Sequence, residues 1–393
     1  MFSLRTTLAL QPNALSLALE RARAHGEPVV DLTVSNPTRA GLPYPEPRIL
    51  AALSGQESLA YAPTPFGLAE ARAAVAATYG GAVDPSRIIL TASTSEAYAF
   101  LFKLLADDGD DMLVPEPSYP LFEILARFEG VRLVPYPLAY DGAWHVDTDA
   151  VRSLRGRRTR AVLVVSPNNP TGSYLKHDEL VALAALGLPI LADEVFAPFS
   201  LVPDRAAGSP SRRAPSVALA GVGELVFALG GLSKMAALPQ MKLAWIVATG
   251  TNDAKVAAAL ERLELIADAF LSVGTPVQAA AAELLAGSDV TRRAIQARLL
   301  QNLDVVRSAT RGTPLTVLDV EGGWYATLRL PATETEEAWA LLLLEEASVY
   351  VHPGHFFDFR DEPYVVVSLL TPESIFEEGI RRLVRCVEGR LGE

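Results

Sequence analysis

"ELVFALGGLSKMAALPQMKLAWIVAT" occupies residues 224–249. Its two apolar runs, "ELVFALG" and "KLAWIVAT", have the length and the Val, Ile, Leu and Trp content of buried strands. The segment between them carries Lys234, and Lys242 stands just before the second strand begins. A loop lysine is most often a solvated charge, so on its own this loop says little. Its meaning depends on what the rest of the chain brings to the same end of the sheet.

Upstream, "RIILTA", "DMLVPEP", "VRLVPYP", "AVLVVSP" and "LPILADE" read as five more strands. Helix-length patterns such as "SEAYAFLFKLLADDG" and "KHDELVALAALG" separate several of them. Continuous apolar strands alternating with helices predict an α/β fold: a mainly parallel, seven-stranded sheet covered by helices on both faces. Downstream, residues 252–310 are almost wholly helical in pattern, and one of these helices is expected to cross into a smaller lobe. That α+β lobe reads strand, turn, strand in "TVLDVEGGWYATLRLP", then helix, the short strand "VYVHPG", the strand "YVVVSLL" and a last helix. We place an N-terminal arm and part of the small domain at 1–43, the large domain at 44–285 and the C-terminal small domain at 286–393. "PDRAAGSPSRRAPS" reads as a surface loop, because strand pattern resumes directly after it.

At 393 residues, half of them apolar, the chain can bury a large core but is too long for a single simple one. A net charge of −12 argues against a nucleic-acid partner bound by phosphate neutralisation. The lone cysteine, Cys386, allows no disulfide within the chain, which fits a reducing compartment. No window is long and apolar enough for a spanning helix, and the N-terminus lacks a signal-peptide layout. It reads as an arm followed by an amphipathic helix. These features predict a cytoplasmic protein with no membrane partner.

In open parallel sheets, ligands bind beyond the carboxyl ends of the strands. After "RIILTA" come Ser93, Thr94, Ser95 and Glu96 at the start of a helix. Ser93 and Glu96 have capping-box spacing, and a well-capped helix is the plain reading. The sharper one is an anion site, built from free N–H groups, the helix dipole and hydroxyls. "AVLVVSP" runs into "NNPTG", which by composition is a turn. "LPILA" ends in Asp193 and Glu194, and a carboxylate there needs a partner, a structural arginine or a cationic ligand nitrogen. Together the strand ends offer an anion pocket, an amide, a carboxylate and a lysine amine. Pyridoxal phosphate calls for that set: a helix start for its phosphate, a lysine to form a Schiff base with its aldehyde, and an acid beside its ring nitrogen.

Over nearly its whole length the sequence also resembles the class I/II aminotransferases of pyridoxal-phosphate fold type I. "SPNNPTG", "ADEVF" and "LSKMAALPQMKLAWI" occur in the family's order and at workable spacing. The resemblance implies an enzyme that moves an amino group between an amino acid and a 2-oxo acid, with Lys234 as Schiff-base lysine and Asp193 at the pyridine nitrogen. It implies that Asn169 bonds the phenolic oxygen, Tyr119 stacks on the ring, and Thr94 and Ser95, with Ser233 and Lys242, hold the phosphate side. Tyr61, in "YAPTPFGLAEAR", is expected to reach the neighbouring subunit's phosphate, which implies a homodimer with shared sites. His352 and His355 read as scaffold, and no metal site is expected.

Four positions depart from the family pattern. Lys242 stands where the family usually has an arginine on the phosphate, keeping the charge without the bidentate fork. Gly231 replaces a frequent phosphate-binding serine, and Phe196 replaces a tyrosine that often donates to the phenolic oxygen. Val366, in "YVVVSLL", stands where an arginine usually pairs with the substrate α-carboxylate. Arg39, in "SNPTRAG" after the strand pattern "VVDLTV", is the candidate replacement, although a solvated loop charge is the plainer reading. The missing arginine leaves room for a lyase or decarboxylase on the same scaffold. A non-catalytic sensor domain is a third reading, disfavoured because no basic N-terminal domain precedes the sheet pattern. A nicotinamide dehydrogenase is disfavoured because Gly221 and Gly223 precede a strand and not a helix.

Overall fold

The fold is a computed structural model that describes residues 2–7, 12–202, 216–360 and 363–392. Its main sheet has the strand order Ile88–Thr91, Ala244–Thr249, Val226–Gly231, Ile190–Asp193, Thr159–Val165, Asp111–Glu116, Arg132–Tyr140 and Trp144–Val146. Five neighbouring strands, from Val226–Gly231 to Arg132–Tyr140, are parallel. Ala244–Thr249 is antiparallel to both its neighbours, and Trp144–Val146 folds back on Arg132–Tyr140 as a hairpin edge. The seven expected strands are present, and this three-residue edge makes an eighth. Its "WHV" is too short and mixed in polarity to register as a strand in the sequence; pairing with Tyr140, Ala139 and Leu138 creates it.

The strands are apolar throughout because both faces are covered. Alternate residues of a strand point to opposite faces. Accordingly Val162, Val164, Ile190 and Ala192 enter one core cluster, while Ala161, Leu163, Leu191 and Phe227 enter another. A third core joins the helix Ala14–Ala24 to the C-terminal part of the chain. Leu15, Ala18, Leu19 and Ala22 are that helix's buried stripe. The 21-residue helix Asp289–Ala309 enters this core with Ile295, Leu299, Leu303 and Val306.

The smaller sheet is antiparallel, in the order Thr316–Val317, Tyr325–Arg329, Tyr364–Ser368, His352–Pro353. "VVDLTV" contributes only Val30–Asp31, paired in parallel with Val349–Tyr350; Leu32 beyond it is held by Leu32 N donating to Tyr350 O at 2.9 Å and Ser368 N donating to Leu32 O at 2.7 Å. Residues 318–324 also leave the sheet rather than forming a tight turn. They lie against the loop after Thr159–Val165, where Glu321 N and Gly322 N both donate to Gly172 O, at 3.2 and 2.9 Å. Gly172 has φ +71°, and a Cβ there would sit 2.2 Å from Val320 Cγ2 and 2.6 Å from Gly322 O. The pairing needs glycine at this position.

Most of the "PDRAAGSPSRRAPS" segment lies outside the described residues. Among the described residues no helix is long and apolar enough to cross a membrane, and no group of three or more His, Cys, Asp or Glu is placed to hold a metal. His352 packs among the rings of Tyr350, Phe356 and Phe357, and His355 faces Glu336 at 3.5 Å.

Candidate active site

The parallel strands Thr159–Val165, Ile190–Asp193 and Val226–Gly231 end side by side. Val165 pairs with Asp193, and Asp193 with Leu229. Their following residues therefore share one rim. Asn169, Asp193 and Lys234 come from three successive strand ends, and the register brings them together.

Asp193 is buried. Its partners are neutral donors, not the arginine that the sequence allowed. Val195 N donates to Oδ1 at 3.1 Å, and the Tyr98 hydroxyl donates to Oδ2 at 2.9 Å. Burial pushes the carboxyl pKa up, while those two donors and the Lys234 charge oppose that rise. Burial and the Asp193 charge hold the Tyr98 phenol well above its ordinary value, so Tyr98 stays a donor. Neighbouring Glu194 accepts from Ser216 Oγ at 2.6 Å and Val217 N at 2.8 Å and so belongs to the scaffold.

Lys234 lies in the short helix Leu232–Met235 directly after its strand. The residue keeps some exposure, yet burial of its amine lowers the pKa from 10.5 to about 8, against the opposing pull of Asp193. Its Nζ stands 5.0 Å from the Trp324 ring centroid and 5.4 Å from that of Phe196. An amine so placed is partly neutral near pH 8, as attack on a carbonyl requires. The Tyr44 hydroxyl donates to Ala237 O at 2.8 Å and pins the loop that follows.

Asn169 is buried, and its Oδ1 has no hydrogen-bond partner. The neighbouring Asn168 anchors the loop: its Nδ2 donates to Pro117 O and Thr171 Oγ1, and its Oδ1 accepts from Ser118 Oγ at 3.1 Å. That last bond ties the Asn169 loop to the residue before Tyr119. The Tyr119 ring meets Phe122 edge-on, and the Asp193 charge adds to burial in raising its phenol pKa.

Thr94 and Ser95 open the 12-residue helix Thr94–Leu105, one turn before Tyr98. Ser93 caps the helix, its Oγ accepting from Glu96 N at 3.2 Å, but the reciprocal half of the expected capping box is shifted by one residue: Glu96 Oε2 accepts from Ala92 N at 2.7 Å and not from Ser93 N. The cap and an anion site are compatible, since the cap uses the Glu96 amide rather than those of Thr94 and Ser95. Ser233 immediately precedes Lys234. Lys242 is exposed with φ +53°, Arg39 is exposed at the end of the turn Pro37–Arg39, and Tyr61 is 83% exposed. None of these last three makes a hydrogen bond or ion pair with Lys234 or Asp193.

The sequence reading missed Tyr98, Trp324 and Tyr325. Tyr98 lies within an apolar helix stripe that looks like core, and its link to Asp193 spans 95 positions. Trp324 and Tyr325 sit in an apolar strand pattern for the same reason. Tyr325 pairs with Ser368, whose hydroxyl donates to Val34 O at 2.6 Å and so ties the segment before Arg39 to the Tyr325 strand.

Residues 27–382 match the family model for aminotransferases of class I and II. The chain belongs to that family. Its members use pyridoxal phosphate. Among relatives of this aminotransferase-family chain, nicotianamine aminotransferase A of Hordeum vulgare is 31% identical over 57% of the chain and 47% of that protein. The match thus spans about half of the barley relative's own length. Arginine–pyruvate transaminase of Pseudomonas aeruginosa is 27% identical over 80% of the chain and 78% of that protein. In structure, the chain superposes on an alanine aminotransferase from Pyrococcus furiosus with TM-score 0.87 at 24% identity, over 99% of this chain and all of that one. This last likeness establishes the fold type I architecture.

Proposed function

We propose that the chain is a pyridoxal-phosphate-dependent aminotransferase that moves an amino group between an amino acid and a 2-oxo acid. The observation that carries this reading is the pairing of a buried amine of lowered pKa, Lys234, with a buried carboxylate, Asp193, at one strand-end rim. The residues around them fit the cofactor: Asn169 has a buried polar atom without a partner, and the helix start at Thr94 and Ser95 is positioned by Tyr98 beside Asp193. When bound, pyridoxal phosphate supplies an electron sink for the bond breaking at the substrate α-carbon.

In this reading Lys234 would hold the cofactor covalently, and its Nζ would take and return the proton at the substrate α-carbon. Asp193, oriented by Tyr98 and Val195 N, keeps the ring nitrogen protonated. Tyr119 would stack on the ring and Asn169 would meet its phenolic oxygen. Thr94, Ser95, Ser233 and Lys242 take the phosphate, Lys242 with its charge but without a guanidinium fork. Phe196 offers a ring face and no hydroxyl. Gly231 leaves no room for a serine without adjustment, since a Cβ there would meet Ala244 Cβ at 3.1 Å. Arg39 is the candidate cation for the substrate carboxylate.

A homodimer is part of the proposal. Leu59, Tyr61, Leu265 and Phe270 are large apolar side chains more than half exposed, as a covered surface would have them. The division at about residues 43 and 285, and a cytoplasmic location, are also our reading. The test is borohydride reduction of purified protein followed by peptide mapping. The cofactor should be fixed to the peptide carrying Lys234; label elsewhere removes the assignment. A panel of amino donors and 2-oxo acids, with products identified, separates transamination from lyase or decarboxylase chemistry.

A further inference from the structure

Ala237 has φ +56°, in the left-handed region that a Cβ disfavours. It stands just past the short helix Leu232–Met235, at the position where a helix commonly ends on glycine. Its N–H donates to Lys234 O at 3.1 Å, so this residue closes the turn that carries Lys234. The chain here also passes between two cores. Ala236 and Leu238 belong to the core on one face of the main sheet, whereas Ala237 is buried in the core built around the C-terminal lobe. The Ala237 carbonyl accepts from the Tyr44 hydroxyl at 2.8 Å.

Tyr44 packs against the same two cores. Burial pushes its phenol up to about 12, so the hydroxyl stays a donor at neutral pH. The segment that leads to it is fastened to the small lobe along its length. Leu32 and Val34 are held by Tyr350 and Ser368, Arg298 Nη1 donates to Ala40 O, and Thr291 Oγ1 donates to Pro43 O at 2.6 Å. Directly after Tyr44, Pro45 disfavours helical backbone at Tyr44 and precedes the helix Glu46–Leu53. Ile49 and Leu53 of that helix pack on the large-domain core. Tyr44 thus ends a strap that the small lobe holds, and its hydroxyl grips the residue that closes the Lys234 turn.

We infer that Tyr44 is a positioning residue for Lys234: its hydroxyl holds Ala237 in the left-handed turn and so ties the seating of the reacting amine to that of the small lobe. The inference rests on the reading of Lys234 given above. Without the hydroxyl, the buried Ala237 carbonyl loses this donor and the disfavoured turn loses what offsets its cost. The turn then relaxes, and the Lys234 amine gains water.

The test is reductive alkylation of cofactor-free protein by acetaldehyde and cyanoborohydride across roughly pH 6 to 11, the span that brackets a buried and an ordinary lysine. Modification is read at Lys234 by peptide mass spectrometry and normalised to the exposed Lys255. Tyr44→Phe keeps the ring between the two cores and removes only the hydroxyl. It should move the Lys234 midpoint up toward the ordinary lysine value and slow alkylation at pH 7 by about 3- to 10-fold. Thr291→Val, close in shape, should act in the same direction by less. The double variant should go no further than Tyr44→Phe, since both cut one strap. Tyr136→Phe is the control, because it removes a buried bond of the same kind, from the Tyr136 hydroxyl to Leu163 O at 2.8 Å. It should lower the unfolding midpoint and leave the Lys234 profile at that of the parent. A parental profile in Tyr44→Phe, or an equal shift in Tyr136→Phe, overturns the inference. If Tyr44→Phe does not fold, Thr291→Val decides, and an unchanged profile there counts against the strap. Absence of alkylation at Lys234 in the parent at every pH instead overturns the reading of Lys234 as the reacting amine.

Discussion

Lys234 and Asp193 each owe their chemistry to where the other stands. Burial pushes both toward neutrality, and each charge opposes that push in its partner. In cofactor-free protein the Lys234 amine should therefore react with an aldehyde with a midpoint near pH 8, about where its lowered pKa lies. Asp193→Asn removes the stabilising anion, so that midpoint should move lower still, as the pH dependence of the reaction rate would register. The same shift has a stability consequence. A lysine whose folded pKa is depressed contributes stability above its unfolded pKa of 10.5, which is lost as pH falls through about 8. Lys234→Met should accordingly raise the stability of cofactor-free protein by about 1–3 kcal/mol at pH 7, with the gain fading by pH 10.5. Urea unfolding at the two pH values measures it. In the holoenzyme the same substitution should abolish turnover.

Among the elements, the loop after Thr159–Val165 and the excursion 318–324 hold each other through backbone contacts that only glycine permits. Lys176 also pairs with Glu321 across this junction, and Tyr174 N donates to Glu321 Oε2 at 3.0 Å. Gly172→Ala should destabilise the protein by about 2–3 kcal/mol, through its positive φ and its clash with Val320 and Gly322. It should also disturb Asn169 and Trp324 together, since the junction carries both, and a shift in the bound cofactor's absorbance would report this. A change confined to the unfolding midpoint would show that the loops set stability alone. At the helix Thr94–Leu105, Ser93→Ala removes the cap and should cost about 1 kcal/mol, read from the same unfolding curves.

For the whole molecule, the exposure of Tyr61 predicts that the site is completed by a second copy. Mixing inactive Tyr61→Phe and Lys234→Ala proteins under conditions of subunit exchange should restore part of the activity. Failure to recover any, with exchange demonstrated, would place Tyr61 outside the site. The parallel sheet, its covering helices and the strand-end candidates Asn169, Asp193 and Lys234 could be read from the chain alone. Each depends on a local pattern, an apolar run and the residues just past it, and parallel strands deliver those residues to one rim. Short pairings such as Val30–Asp31 with Val349–Tyr350, and the edge strand Trp144–Val146, carry too little apolar pattern to be read that way. Nor does the sequence tell Tyr98 from the core aromatics beside it, or Trp324 from an ordinary strand residue. Their roles arise from partners about 90 positions away, and a side chain's burial and unmet hydrogen bonds exist only once the chain has packed.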